Sequence, residues 1–291
     1  MITKTLCVGS VALTMGIALA SLPAQAGPVT NWSFTVNTGF SSYTSTGGGQ
    51  TGITAGPNNP TLGLPSSLSW GTGSSGQSNL DLGGTNGNFS GSLVTNAAPV
   101  NTVTVTANNR PITGDTLKFA NIVDTLQLTP TVPLGAPFSL PALGFAVDYN
   151  ETPNLAPCAA PSNTPCSDIL VISNLANAGF DTTNPGNVFI TQALAYNGEN
   201  YAIDLFITGL VSLDAAECNS VNAADGTNLP SPGCIGFISQ ENNNNQFQAS
   251  LQILDKGPIG VPEPATVALF GTGLLGFGGL SKLLRRRPRS A

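Results

Sequence analysis

The 291-residue chain contains no histidine. That absence removes Ser-His-Asp triads, Cys-His pairs and imidazole metal sites, because each needs a ring nitrogen as base or ligand. Charge is also scarce: 8% of residues are Asp, Glu, Lys or Arg, and nine of them are basic. Lys4 lies at one end and Lys282, Arg285, Arg286, Arg287 and Arg289 at the other. Residues 27–260 therefore hold Arg110, Lys118 and Lys256 against 14 of the 15 acids, a net charge of −11. A surface of that sign repels phosphate backbones and anionic headgroups, which excludes a nucleic-acid partner. No G-x-x-x-x-G-K-[ST] phosphate loop occurs. Gly271-Thr272-Gly273-Leu274-Leu275-Gly276 has the G-x-G-x-x-G form, but without a preceding strand or the acid about 20 positions later that a dinucleotide fold needs.

Long stretches of 3.6-residue apolar periodicity are missing between the two ends. What is present is Gly (34), Pro (22) and many Thr, Asn and Ser, a mix that favours short strands and frequent turns. Alternation with period two recurs: Val103 and Val105 in "NTVTVTAN", Phe145, Val147 and Tyr149 in "GFAVDY", and Phe247, Ala249, Leu251 and Ile253 in "FQASLQI". "SDILVIS" and "YAIDLFITGLVSL" are continuously apolar, as strands buried on both faces are. Clusters such as "TGGGQTG", "GGTNGN" and "ENNNNQ" punctuate them. The fold expected is all-β, an antiparallel β-sandwich of jelly-roll-like form.

The ends read as addresses. Residues 1–26 combine Lys4, an apolar run from Leu6 to Leu22, and the small-x-small triplet Ala24-Gln25-Ala26. This is a signal peptide cleaved before Gly27, and it implies the Sec export machinery. At the other end Ala265 to Leu284 is long enough, at 1.5 Å per residue, to cross about 30 Å of hydrocarbon. Its glycines are tolerated in lipid, and the Arg cluster after it holds the tip in the cytoplasm with the large domain outside. The expected organisation is signal peptide 1–26, exported ectodomain 27–256, spacer 257–260 and a C-terminal segment 261–291 with one transmembrane helix.

Signal removal takes Cys7 and leaves Cys158, Cys166, Cys218 and Cys234. An even count in an exported domain points to disulfides, with three connectivities open. Pairing within each Pro/Asn-rich loop, Cys158 with Cys166 and Cys218 with Cys234, is favoured over a four-cysteine zinc site, which would lack any C-x-x-C knuckle. Carboxylate chemistry needs only two acids. Asp148, Glu151 and Asp204 lie in or beside the expected strands, where the plainer reading has them solvated or capping turns. "DAAECNSVNAAD" carries Asp214, Glu217 and Asp225 as oxygen donors for a structural calcium, but no D-x-[DN]-x-[DN]-G loop is present. No cofactor and no catalytic residue is expected. Trp32, Trp70, Tyr149 and Tyr201 are either stacking residues for a sugar or core anchors, and sandwiches need large buried groups.

"VPEPATVALFGTGLLGFGGLSKLLRRR" resembles a PEP-CTERM sorting signal: a Pro-Glu-Pro step, a Gly/Leu-rich span and a terminal Arg cluster. The resemblance implies exosortase as the processing partner, with Val261, Pro262, Glu263 and Pro264 carrying recognition and Arg285, Arg286, Arg287 and Arg289 stopping transfer. It also implies a Gram-negative source that makes extracellular polysaccharide and biofilm. The prolines themselves disfavour helix and keep the recognition segment extended. The ectodomain is similar to the THxN group of PEP-CTERM proteins through Trp32, "LSWGTGSSGQSNL" (68–80), "TANNRPI" (106–112), Asn150 to Ser173, and "GCIGFISQENNNNQFQASLQI". Thr106 and Asn109 fit the group's motif, while Ala107 stands where it has His. The functional expectation is a non-enzymatic exported protein of the cell surface or polysaccharide matrix. The alternatives are a carbohydrate-binding module and a carboxylate-dependent hydrolase.

Overall fold

The structure, a computed structural model, describes residues 27–158 and 166–259. The segment expected as a signal peptide, with Ala24 and Ala26, and the tail with its Pro-Glu-Pro step, apolar run and Arg cluster, lie outside the described residues. In chain order the strands are β1 (Asn31–Ser45), β2 (Ile53–Ala55), β3 (Ser67–Trp70), β4 (Ser78–Asp81), β5 (Asn88–Val94), β6 (Val100–Asn108), β7 (Leu117–Val132) and β8 (Phe138–Ser139). They continue as β9 (Leu143–Asn150), β10 (Asp168–Ile172), β11 (Asn187–Tyr196), β12 (Glu199–Thr208), β13 (Val211–Ser212), β14 (Ile235–Ser239) and β15 (Asn244–Pro258), with one helix, α1 (Ala215–Asp225), between β13 and β14. Among the described residues no helix is long and apolar enough to cross a membrane.

The strands form two antiparallel sheets packed as a β-sandwich. One runs β13-β14-β10-β9-β7-β1-β5 with β8 added on β7; the other runs β11-β12-β15-β6-β4-β3-β2. Alternation decides which side chains enter the core. Along β1, Trp32, Phe34 and Val36 point inward while Asn31, Ser33 and Thr35 are only half-buried. Phe145, Val147 and Tyr149 of β9, Val103 and Val105 of β6, and Phe247, Leu251 and Ile253 of β15 are all buried. A register shift between Gln248 and Ser250 lets β15 follow β6 without losing that face.

β10, "DILVI", is buried at every position, and after Asp168 it is continuously apolar. Leu170 and Ile172 enter the main core, while Ile169 and Val171 pack outward against Leu213, Cys218, Val221 and Cys234. The cover over that outer face is α1, a helix the 3.6-residue reading passed over. Its start is fixed by a reciprocal cap: Asp214 Oδ1 accepts the Glu217 N–H at 2.9 Å, and Glu217 Oε2 accepts the Asp214 N–H at 2.7 Å. Gly226 closes it in the left-handed conformation, φ 69°, where a Cβ would be strained. Cys218 is bonded to Cys234, and Cys158 to Cys166. Asn197-Gly198 joins β11 to β12 with φ of 51° and 81°, the two-residue hairpin turn that matches strand twist.

β15 continues to Pro258, two residues into the segment expected as spacer, and the Ile259 N–H donates to Gly198 O at 2.8 Å. The entry of the chain is at the same end of the sandwich: the Val29 N–H donates to Tyr201 Oη at 2.7 Å, and Tyr201 pairs with Asp255 of β15.

Between the sheets a cavity of about 40 Å³ is walled by Val36, Leu126, Ile203 and Leu251, with Asp124 at its edge. Burial pushes the Asp124 carboxyl up to about 6, and the Thr38 side chain opposite offsets part of that. The folded state therefore keeps a proton that the unfolded chain releases near pH 4, so stability falls as pH rises from about 4 to 6. Asp124→Asn is expected to remove that slope and to stabilise the protein at pH 7 by about 1–2 kcal/mol, allowing for the side chain's partial exposure. Urea denaturation at pH 4 and pH 7 checks it; an unchanged pH slope in the variant contradicts it.

Candidate metal centre

At the end of the sandwich opposite the chain's entry and exit, β9, β10 and β14 finish or start beside β3 and β6 of the other sheet. Asn150 closes β9, Asp168 opens β10 opposite Ser239 at the close of β14, and Asn108 of β6 faces Asn244. Three carboxylates converge there. Glu151, Asp168 and Glu241 each present an oxygen, and these oxygens lie within 4.8 Å of one another. Asp168 is fully buried, Glu241 is 8% exposed and Glu151 is half-buried.

Their surroundings are aromatic and amide. Trp70 and Tyr149 meet edge to face with ring centroids 5.0 Å apart, one from each sheet. Each turns its polar atom to the acids: Trp70 Nε1 donates to Glu151 Oε2 at 3.3 Å, and Tyr149 Oη donates to Asp168 Oδ2 at 2.8 Å. The Thr152 N–H donates to Asp168 Oδ1 at 2.8 Å. Asn109 is fully buried and ties the loops together. Its N–H donates to Asn243 O at 3.1 Å, its carbonyl accepts the Asn242 N–H at 2.9 Å, and its Nδ2 donates to Ser239 O at 2.8 Å. Asn242 takes φ 58°, a conformation Asn tolerates.

These donors do not saturate the acids. Glu151 Oε1, both oxygens of Glu241, Asn154 Oδ1 and Asn109 Oδ1 are buried without a well-formed hydrogen bond. Burial, then the charge of Asp168, holds the Glu151 carboxyl far above the usual range; burial also raises Asp168. Burial raises Glu241 as well, and the Asn154 side chain, the Asn242 N–H and the Arg110 charge offset only part of it. Packing three carboxylates so closely is costly unless protons or a cation reduce the charge.

The acids singled out in the sequence separate in space. Glu151, read there as solvated or turn-capping, belongs to the cluster. Asp148 lies under α1, where Asp225 faces it, and burial raises both, Asp225 to about 7. Asp204 sits in the other sheet and accepts from Thr191 Oγ1 at 2.6 Å. Asp214 and Glu217 cap α1. Asp168 and Glu241, the other two members of the cluster, drew no notice in the sequence. A signal was available for Asp168, as an acid opening a strand buried on both faces.

The four aromatic residues considered for sugar stacking are core anchors. Trp32 and Trp70 are 0% exposed and Tyr149 and Tyr201 2%. The exposed large hydrophobics among the described residues are aliphatic, such as Leu134 and Leu155. Stacking on any of these four rings is therefore closed off.

β15 leads directly toward the tail, and the tail decides the comparison with known proteins. Residues 260–287 match the family model for the PEP-CTERM protein-sorting motif. The chain carries a PEP-CTERM sorting motif. It implies processing by exosortase, and export with C-terminal membrane anchoring before that step. The match stops short of the ectodomain, so the likeness to the THxN group rests on the quoted residues alone. No curated protein matches the chain significantly. The residues assigned to sorting, Val261, Pro262, Glu263, Pro264 and the Arg cluster, lie within or just beyond the matched segment and outside the described structure.

Proposed function

We propose that this is a non-enzymatic exported protein, delivered by its PEP-CTERM motif to the cell surface or the extracellular polysaccharide matrix. The observation that carries the reading is the match at residues 260–287, directly after the last strand of the sandwich. Two further features support it. The ectodomain is closed by two disulfides, which suit an oxidising compartment. Its acidic surface disfavours adhesion to anionic headgroups once the tail is processed. The ectodomain's role in this reading is that of a rigid matrix component.

The test is a fusion of residues 257–291 to a neutral exported reporter, expressed with and without exosortase. The expected result is a shorter reporter released to the surface only when exosortase is present, with the full-length anchored form accumulating in its absence. Identical processing in both strains refutes the assignment. Glu263→Ala in the same fusion is expected to reduce processing at least tenfold, since it removes the single charge of the recognition step.

A further inference from the structure

We propose that Glu151, Asp168 and Glu241 form a calcium site that locks the loops at the far end of the sandwich. Clustered acids alone would not carry this. The second observation is Glu241, which is 8% exposed and holds both carboxylate oxygens in the cluster without a well-formed partner. Glu151 Oε1 and, beside Glu241, Asn154 Oδ1 are likewise buried without a well-formed partner. The weak contacts that Asn154, the Asn242 N–H and Asp168 make leave these oxygens under-satisfied, which is what a cation site presents before the cation enters.

The chemistry selects the ion. The donors are all oxygen; the chain has no histidine, and its four ectodomain cysteines are in disulfides. That favours a hard cation over zinc or copper. Two oxygens on one calcium, at about 2.3–2.6 Å each, sit at most about 5 Å apart; on magnesium the limit is about 4.2 Å. Three oxygens within 4.8 Å of one another lie inside the limit for the larger ion, which also tolerates the more irregular shell. Three carboxylates supply up to six ligand oxygens, and Asn154 Oδ1 a further one. The residual negative charge after a divalent ion binds is met in part by Arg110, whose charge already acts on Glu241.

The placement gives the site a mechanical role. It joins the ends of β9 and β10 to the turn after β14, and through Trp70 reaches the other sheet. Glu151 and Asp168 also stand at the two ends of the β9–β10 connection, within which Cys158 is bonded to Cys166. β15 begins here and ends at the exit of the chain, 14 residues on, a span of about 45 Å at strand rise. Calcium would therefore order the end of the domain remote from the anchor. The inference does not depend on the sorting reading.

The experiment uses the exported protein as the cell processes it, stripped with EGTA and titrated with calcium chloride alone. One calcium per chain is expected, with a dissociation constant of about 10⁻⁴–10⁻³ M, the range of extracellular modules. The thermal midpoint should rise by several degrees in calcium, and magnesium at the same concentration should give less than half that rise. Glu241→Gln should weaken binding at least tenfold. It should also melt higher than the wild type in EGTA and lower in saturating calcium, a crossover that a merely structural glutamate would not produce. Terbium chloride gives a readout on the unmutated chain. An ion bound beside Trp70 should show tryptophan-sensitised luminescence that calcium quenches by displacement. Asp181→Asn, at an exposed acid away from the cluster, should change none of this. No calcium uptake at millimolar concentration, equal uptake by wild type and Glu241→Gln, or luminescence that calcium leaves intact would each overturn the site.

Discussion

Trp32→Ala is expected to lower the stability of the ectodomain by about 4 kcal/mol, the upper part of the range for deleting a buried ring. Trp32 is 0% exposed and sits among three other rings: Tyr201 at 5.2 Å, Tyr196 at 5.9 Å and Phe138 at 6.0 Å, all close to edge on. Those rings come from β12, β11 and β8, so one side chain of β1 bridges both sheets. Its Nε1 donates to Thr95 Oγ1 at 2.9 Å, and Thr95 Oγ1 donates on to Val29 O at 2.6 Å. Alanine would leave a cavity, leave the Thr95 hydroxyl without one partner and free the segment that enters at Val29. Trp32→Phe keeps most of the apolar contact and loses the hydrogen bond, so a loss of about 1–2 kcal/mol is expected. Urea unfolding followed by circular dichroism measures both. A loss below 1 kcal/mol for the alanine variant would contradict the anchoring role and leave Trp32 available for another one.

That side chain also shows what can be read before the fold is known. The period-two alternation of β6, β9 and β15 is a local property, since a pleated strand with one face buried forces apolar and polar residues to alternate. It located those three strands, while the alternation of β1 around Trp32 went unread. The face covered by α1 was visible only as an excess: Ile169 to Ile172 are apolar at every position because both sides are covered, but nothing local says what covers the second side. The helix itself has Val221 as its one large aliphatic side chain and buries Glu217, Cys218 and Val221, so no amphipathic stripe announces it. Its one clear mark was D-A-A-E, the reciprocal cap at Asp214 and Glu217, which the same residues concealed by looking like calcium donors.

The acid cluster was hidden for a different reason. Asp168 and Glu241 lie 17 and 90 positions beyond Glu151. They meet because β10 pairs with β9 on one side and with β14 on the other. Such pairings are set by sheet order, a property of the whole chain, and a single sequence without relatives to compare does not encode it locally. The polar ends of Trp70 and Tyr149 were equally opaque. An aromatic residue in an alternating strand reads as core, and it is core here, but its N–H or O–H must still find a partner. In this fold both partners are acids of the cluster. The tail is the opposite case, because routing signals are recognised as linear sequence and need no tertiary context.

The covering helix supports the second large effect. Replacing Cys218 and Cys234 together by alanine is expected to cost about 3 kcal/mol, the loop-closure value for the 16-residue separation they span. Both sulfurs lie inside the small core formed by Ile169, Val171, Leu213 and Val221, so the loss also exposes the outer face of β10. Opening should be local before it is global. Hydrogen exchange of α1 and β10 should accelerate at least tenfold, while β12 and β15, which lie in the other sheet, should keep their protection. Asp225 adds a pH signature. Burial, with Asp148 adding to it, raises Asp225 to about 7, while Lys118 pulls it down. The docked helix thus holds a proton that an undocked helix gives up near pH 4, and docking weakens as pH rises between those values. In the wild type, protection factors of α1 should fall from pH 5 to pH 8. In the disulfide-free variant the helix is already largely released, so the same pH change should have little effect. Equal pH dependence in the two proteins would mean that the disulfide does not hold α1 over the acid pair, and that β10 is covered by packing alone.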